Sequence, residues 1–181
     1  MWSFQRLEDW SDMTAVADVA KRPLLPGVLA RVITDLNNKF FRSAFTGQGN
    51  AILVARELKV VDHRTVRLSR PEHRICQAIR LQNDVVVANL HASGRRLDYG
   101  EEELEPALEL LDELAGSVAI LAGDFNLRPT LPGFSPPGPR IDHILVRGVS
   151  VGPLEIWPVE RRTVGGRVWS DHAPVELRVD V

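Results

Sequence analysis

The sequence predicts an α/β (α+β) fold built in one domain from its 181 residues. Three observations predict it. Residues 40–90 read mostly as short strands separated by turn chemistry. Residues 98–115 carry an apolar stripe at helical spacing, Leu104, Leu108, Leu111 and Ala115. Residues 118–126, Val-Ala-Ile-Leu-Ala-Gly-Asp-Phe-Asn, begin as a continuous apolar run of strand length. The chain is long enough for a substantial core. Its 44% hydrophobic and 25% charged residues are ordinary for a globular protein.

Taken in order, residues 1–12 hold Trp2 and Trp10 without a clear period. Residues 12–20 predict a short helix, with Asp12 as cap and Ala15, Val16 and Val19 on one face. Pro23 and Pro26 break the chain after it. Residues 28–36 are apolar and suit strand or short helix equally. Residues 47–50 read as a turn and 51–55 as a short strand. Residues 59–68 alternate imperfectly, and residues 74–81 set Ile75, Gln77, Ile79 and Leu81 on one side. A hairpin turn at 82–84 leads to a buried strand at 85–90.

Glu101, Glu102, Glu103 and Glu105 load the start of the helical segment with acid, favourable against the helix dipole. This run reads as helix surface, not as a metal site. Pro106 either stands in the first turn of the main helix or kinks a longer one. Beyond 126, residues 128–140 form a proline-rich loop, and 141–146 a strand. An extended segment at 149–158, a turn at Gly165-Gly166 and a last strand at 175–179 complete the chain.

Charge and cysteine content narrow the function classes. A formal net charge of −2 argues against a strong non-specific grip on nucleic acid. The local run Arg56, Lys59, Arg64, Arg67, Arg70, Arg74 and Arg80 reads as a solvated strand face or as a phosphate-facing patch. A lone cysteine, Cys76, excludes an internal disulfide and fits a reducing, cytoplasmic setting. No apolar run approaches a membrane span, and the first residues lack a signal peptide's apolar core.

Polar residues recur at strand ends. They are Asn89-Leu90-His91, Asp124-Phe125-Asn126, Asp142-His143 and Asp171-His172. Taken singly, each reads as a cap or a turn. Together they can converge on one sheet edge. Asp124 and Asn126, two apart on extended chain, point to the same side. Asp and Asn oxygens suit a hard divalent cation. Two histidines can supply a base and an acid, with an Asp orienting one of them. The chain has no Gly-x-Ser-x-Gly elbow and no Walker A loop. Phosphoester hydrolysis fits such a set.

Five stretches occur in a recognisable order: Gly49-Asn50-Ala51-Ile52-Leu53, Asn89-Leu90-His91, Gly123-Asp124-Phe125-Asn126, Arg140-Ile141-Asp142-His143-Ile144-Leu145 and Ser170-Asp171-His172-Ala173-Pro174. In these the chain resembles the endonuclease/exonuclease/phosphatase (DNase I-like) superfamily over residues 49–181, with residues 1–41 atypical. The resemblance implies two packed mixed β-sheets flanked by helices, a four-layer sandwich. It implies Mg²⁺ or Mn²⁺ as cofactor and a phosphate-ester substrate, whether nucleic acid, phospholipid or inositol phosphate. Asp124 would orient or activate the attacking water, and Asn126 would bind phosphate or the metal shell. Asp171 would be a metal-side carboxylate. His172 would act as base or phosphate stabiliser, held by Asp142, and His91 would assist the leaving group.

The sequence departs from the family at its start. The family's metal-proximal Asn strand and its Gln-Glu strand are not found, and Glu8 is a poor substitute for that glutamate. The expectation is therefore an N-terminally shortened member lacking the first strands, either active or a degenerate relative that keeps the fold and binds phosphate ligands. Residues 1–41 or a partner chain would cover the missing-strand region.

Overall fold

A computed structural model describes residues 6–22, 28, 48–69, 72–94, 102–168 and 170–181. The elements are α1 (Leu7–Ser11), β1 (Thr14–Lys21), β2 (Gln48–Val54), β3 (Val60–Ser69), β4 (Arg74–Leu81), β5 (Val85–His91), α2 (Leu104–Leu114), β6 (Val118–Asp124), β7 (Asp142–Arg147), β8 (Glu155–Ile156), β9 (Thr163–Val164), β10 (Arg167–Val168) and β11 (Val175–Glu176). The principal sheet has the order β3-β4-β5-β6-β7. Only β5 and β6 run parallel within it. A parallel pair needs a crossover, and α2 is that crossover.

Alternation along the strands separates two cores. On one face Cys76, Ala78, Val86, Ala88, Leu90, Ala119, Leu121 and Leu145 pack against Leu104, Ala107, Leu110, Leu111 and Leu114 of α2. On the other, Ile79, Leu81, Val85, Val118 and Val146 meet Ile52 and Val54 of β2, with Val16 and Leu177 joining them. The β1-β2 and β8-β11 pairs form this second tier. Helix α1 lies against β1 and β2, and α2 against β3, β4 and β5. The architecture is the mixed α/β arrangement of packed sheets and flanking helices that the resemblance implied.

Side-chain amides tie the tiers together. Asn50 Nδ2 donates to the carbonyls of Ile75 (3.0 Å) and Asn89 (3.2 Å). Asn89 Nδ2 donates to Ala51 O at 3.0 Å, and Gln77 Nε2 to Val16 O at 2.8 Å. Cys76 sits on the helix face without exposure, and burial pushes its thiol up to about 12.

Several expectations are corrected. The predicted helix at 12–20 is strand β1. It pairs with β2 from Thr14↔Val54 to Val19↔Gly49, and this ladder of non-local hydrogen bonds overrides the local 3.6 spacing, helped by β-branched Thr14, Val16 and Val19. Asp12 ends α1 instead of starting a helix, at φ 56°. Gln48, Gly49 and Asn50 belong to β2, not to a turn. The last strand shrinks to Val175–Glu176, the length that pairs with β8. In α2, Leu104, Ala107, Leu110, Leu111 and Leu114 are buried, whereas Ala115 is the left-handed cap at φ 50°. Pro106 stands in the first turn, where its missing N–H costs nothing. Residues 98–101 and most of the 28–36 stretch lie outside the described residues.

Most of the basic run lies on a solvated face, but Arg74, 16% exposed, stands close enough to His91 to act on it. Arg56 pairs with Asp12 (3.0 Å), Arg64 with Asp62 (3.2 Å), Arg74 with Glu72 (3.1 Å) and Arg80 with Asp84 (3.6 Å). Arg70 lies outside the described residues.

Candidate active site

Sheet register assembles the site. His91 at the end of β5 is opposite Asp124 at the end of β6, and Asp124 is opposite Asp142 at the start of β7. The three form one row across adjacent strands. The period of two places Asp124 with Val118 and Ile120 on the second-tier face, and Asp142 with Ile144 and Val146. Gly123 lets β5 and β6 meet there. At φ 139°, a Cβ on it would lie 1.9 Å from Leu90 O, so a side chain is excluded. Beyond Asp124 the chain turns sharply. Asn126 adopts φ 54°, and its N–H donates to Asp124 Oδ1 at 2.9 Å.

His172 arrives from the segment before β11. Its Nδ1 lies 2.9 and 3.0 Å from the two Asp142 oxygens, and a carboxylate can only accept, so Nδ1 carries the hydrogen. Nε2 is thereby left facing Asp124 Oδ2 at 3.9 Å. His91 Nε2 lies 3.5 Å from the same oxygen. Arg162 Nη1 holds the His172 segment by donating to Ser170 O (2.9 Å) and His172 O (3.3 Å).

The two histidines are tuned in opposite directions. The bond to Asp142 raises His172 above its ordinary value, aided by the charges of Asp142, Asp124 and Asp171. Burial, then Arg74, lowers His91. The two imidazoles are thus shifted apart beside one shared carboxylate.

A divalent cation fits this donor set. Ligand atoms of Asp124, Asp142 and His172 lie within 4.8 Å of one another. Among the described residues, the ion pairs of Asp124 are with the two histidines, so no Arg or Lys neutralises it. An open cleft of about 480 Å³ runs from these residues between the tiers, past Ile52, Val87, Ala122, Ile144 and Val175.

His91, Asp124, Asp142 and His172 are thus brought together, as the sequence suggested. Asn126 is adjacent, but its Nδ2 donates to Ala92 O at 2.8 Å. Asp171 is exposed and stands outside the Asp124–Asp142–His172 group, acting on His172 through its charge. Glu8 is exposed on α1, where its carboxylate accepts from Ala15 N at 2.9 Å. Strand β1 carries no glutamate. Its one acid, Asp18, accepts from His63 Nε2 (2.6 Å) and Thr65 Oγ1 (2.5 Å) over β3.

Two other expectations shift. His143, paired with Asp142 in the sequence motif, points to the opposite face. It is fully buried, meets Phe125 edge-on at 5.3 Å and bonds Leu127 O at 2.9 Å. Burial lowers its pKa. Glu103 is no surface acid: it is 3% exposed and accepts both Ser93 N and Ser93 Oγ at 2.6 Å. Nothing local distinguishes it from Glu101, Glu102 and Glu105. Only a serine ten residues earlier, just past a strand end, hints at its partner.

The profile of the Endonuclease/Exonuclease/phosphatase family matches residues 8–172. The chain belongs to that family. The match starts upstream of the sequence motifs, so it takes in β1 as well as the whole Asp124 row. Family membership supports a hydrolase of phosphate esters. No curated protein sequence matches the chain. Solved structures share its fold at low identity. A mannosyl-6-phosphatase from Bacteroides thetaiotaomicron is 18% identical, with TM-score 0.64, covering 98% of this chain and 82% of the other. D. rerio TDP2, complexed with a single-strand DNA product, is 14% identical, with TM-score 0.62 and coverages of 97% and 89%. The human Nocturnin catalytic domain, with bound sulfate, is 15% identical, with TM-score 0.56 and coverages of 97% and 77%.

Proposed function

We propose that this family member is a divalent-metal-dependent phosphohydrolase that cleaves a phosphodiester or phosphomonoester with water. The observation that supports it is the His91–Asp124–Asp142 row completed by His172. Asp124 is the group that orients the attacking water and takes its proton. It is half-buried, and among the described residues its ion-pair partners are the two histidines alone. Asp142 fixes the tautomer and direction of His172, so that Nε2 faces Asp124 and the phosphate side of the cleft. His91, whose ring is 46% exposed and lies 3.5 Å from Asp124 Oδ2, exchanges protons with solvent and suits transfer at the leaving oxygen. Mg²⁺ or Mn²⁺ held by Asp124 and Asp142, with His172 at its side, would supply charge neutralisation for the phosphate.

A second reading is a family member that binds phosphate ligands without turning them over. One observation favours it: β1 brings no glutamate to the site, and Asp18 is committed to His63 and Thr65. Hydrolysis of bis(p-nitrophenyl) phosphate with Mg²⁺ or Mn²⁺ separates the two. The expected result is a rate that falls about 10²- to 10⁴-fold in Asp124→Ala and His172→Ala. Equal background rates in all three proteins would leave only the binding reading.

A further inference from the structure

The strand that presents His91 ends there, and the next three residues leave the sheet. Each is held. Ala92 N donates to Asp124 O at 2.8 Å. Ala92 O accepts from Asn126 Nδ2, also at 2.8 Å. Gly94 sits so close to Asn126 that a Cβ would lie 2.9 Å from its Oδ1. Between them, Ser93 gives both of its donors to Glu103: its N–H to Oε2 and its hydroxyl to Oε1, each at 2.6 Å. Ser93 is 4% exposed and Glu103 3%.

A carboxylate this deeply buried is costly unless its oxygens are hydrogen-bonded. Here both oxygens are used, and both on one residue. Both contacts are close, at 2.6 Å. Glu103 also stands at the start of α2, where the helix's positive end favours a negative charge. The helix that stabilises the opposite face of the sheet therefore reaches round its end and grips the backbone two residues beyond His91.

We propose that Glu103 is a positioning residue: by clamping Ser93 it fixes the 92–94 segment and holds the His91 ring against Asp124. Asn126 clamps the same segment from the β6 side, which accounts for its amide facing Ala92 in place of the cleft. The inference rests on the hydrolase reading for its effect on rate, but the clamp itself is a matter of geometry.

Two readouts test it. The first is kcat and KM on bis(p-nitrophenyl) phosphate for Glu103→Ala, Glu103→Gln and Ser93→Ala. The second is the nuclear Overhauser contact between the His91 ring and the Asp124 β-protons in the metal-free protein. Glu103→Ala is expected to lower kcat about 10- to 100-fold with KM little changed, and to weaken the His91–Asp124 contact. Glu103→Gln keeps one acceptor for the Ser93 N–H and is expected to restore most of both. A folded Glu103→Ala with wild-type kcat and an intact contact overturns the proposal. If Glu103→Ala does not fold, the Ser93→Ala and Glu103→Gln proteins decide it by the same two measures. If wild type is no faster than Asp124→Ala, the hydrolase reading fails, and the ring contact alone decides the clamp.

Discussion

On the face against α2, the central strands are apolar almost without a break: Cys76, Ala78, Val86, Ala88, Leu90, Ala119, Leu121 and Leu145. On the opposite face the same strands interleave Ile79, Val85 and Val118 with Gln77, Asn89, Asp124 and Asp142. The first face removes water and is stabilised by apolar burial, on the order of 1.5–3 kcal/mol for each large side chain. The second is joined to its covering tier partly by hydrogen bonds that side-chain amides donate across the sheets. It opens at its end into a row of carboxylates and histidines. Such a row contributes little to stability, since its charges favour partial hydration. The dry face allows the wet one to be polar.

Three measurements test this contrast between the two faces. The largest effect is expected from Leu111→Ala, which empties a position 1% exposed in the helix-face core. Urea unfolding should show a loss of about 2–5 kcal/mol, with the activity per folded molecule kept. Next is Asn89→Ala, which removes the donor to Ala51 O and leaves a carbonyl between the tiers unmatched. Its expected cost is smaller, about 1–2 kcal/mol. A larger loss here than at Leu111 would reverse the assignment of stability to the helix face.

The smallest effect is expected from Asp142→Asn, read as a function of pH in the metal-free protein. His172 has a raised pKa in the folded state, so its bond to Asp142 stabilises fully below the unfolded value of about 6.5. That contribution is lost as pH rises through the folded value. The stability gap between wild type and Asp142→Asn should therefore narrow with rising pH across that window. A gap that widened instead would mean that His172 is not the partner responsible.

Legibility differed between these regions for a physical reason. The α2 face was readable in kind, because burial selects apolar side chains. Its detail was not, since Leu108 and Ala115 satisfy the helical spacing as well as Ala107, Leu110 and Leu114, which the sheet actually covers. The site row was readable as four polar punctuations of apolar strands. The motif Asp142-His143 was half misleading, because adjacent strand residues face opposite ways and only the ladder shows which one joins Asp124. The segment 12–20 misled because its apolar spacing suits a helix, whereas pairing with β2 rewards a strand.

By itself, the order of residues along this chain determined the family, the strand and helix classes of most elements, and the residues His91, Asp124, Asp142 and His172 as candidates. The element classes and candidates follow from local composition and short spacing, and the family from five motifs that resemble it in order along the chain. Only the tertiary structure decided that β1 is a strand, that Asp18 is tied to His63, and that Glu103 is buried on Ser93. Each of those depends on a partner brought close by folding, and hydrogen bonds across the sheets are made in space, not in sequence.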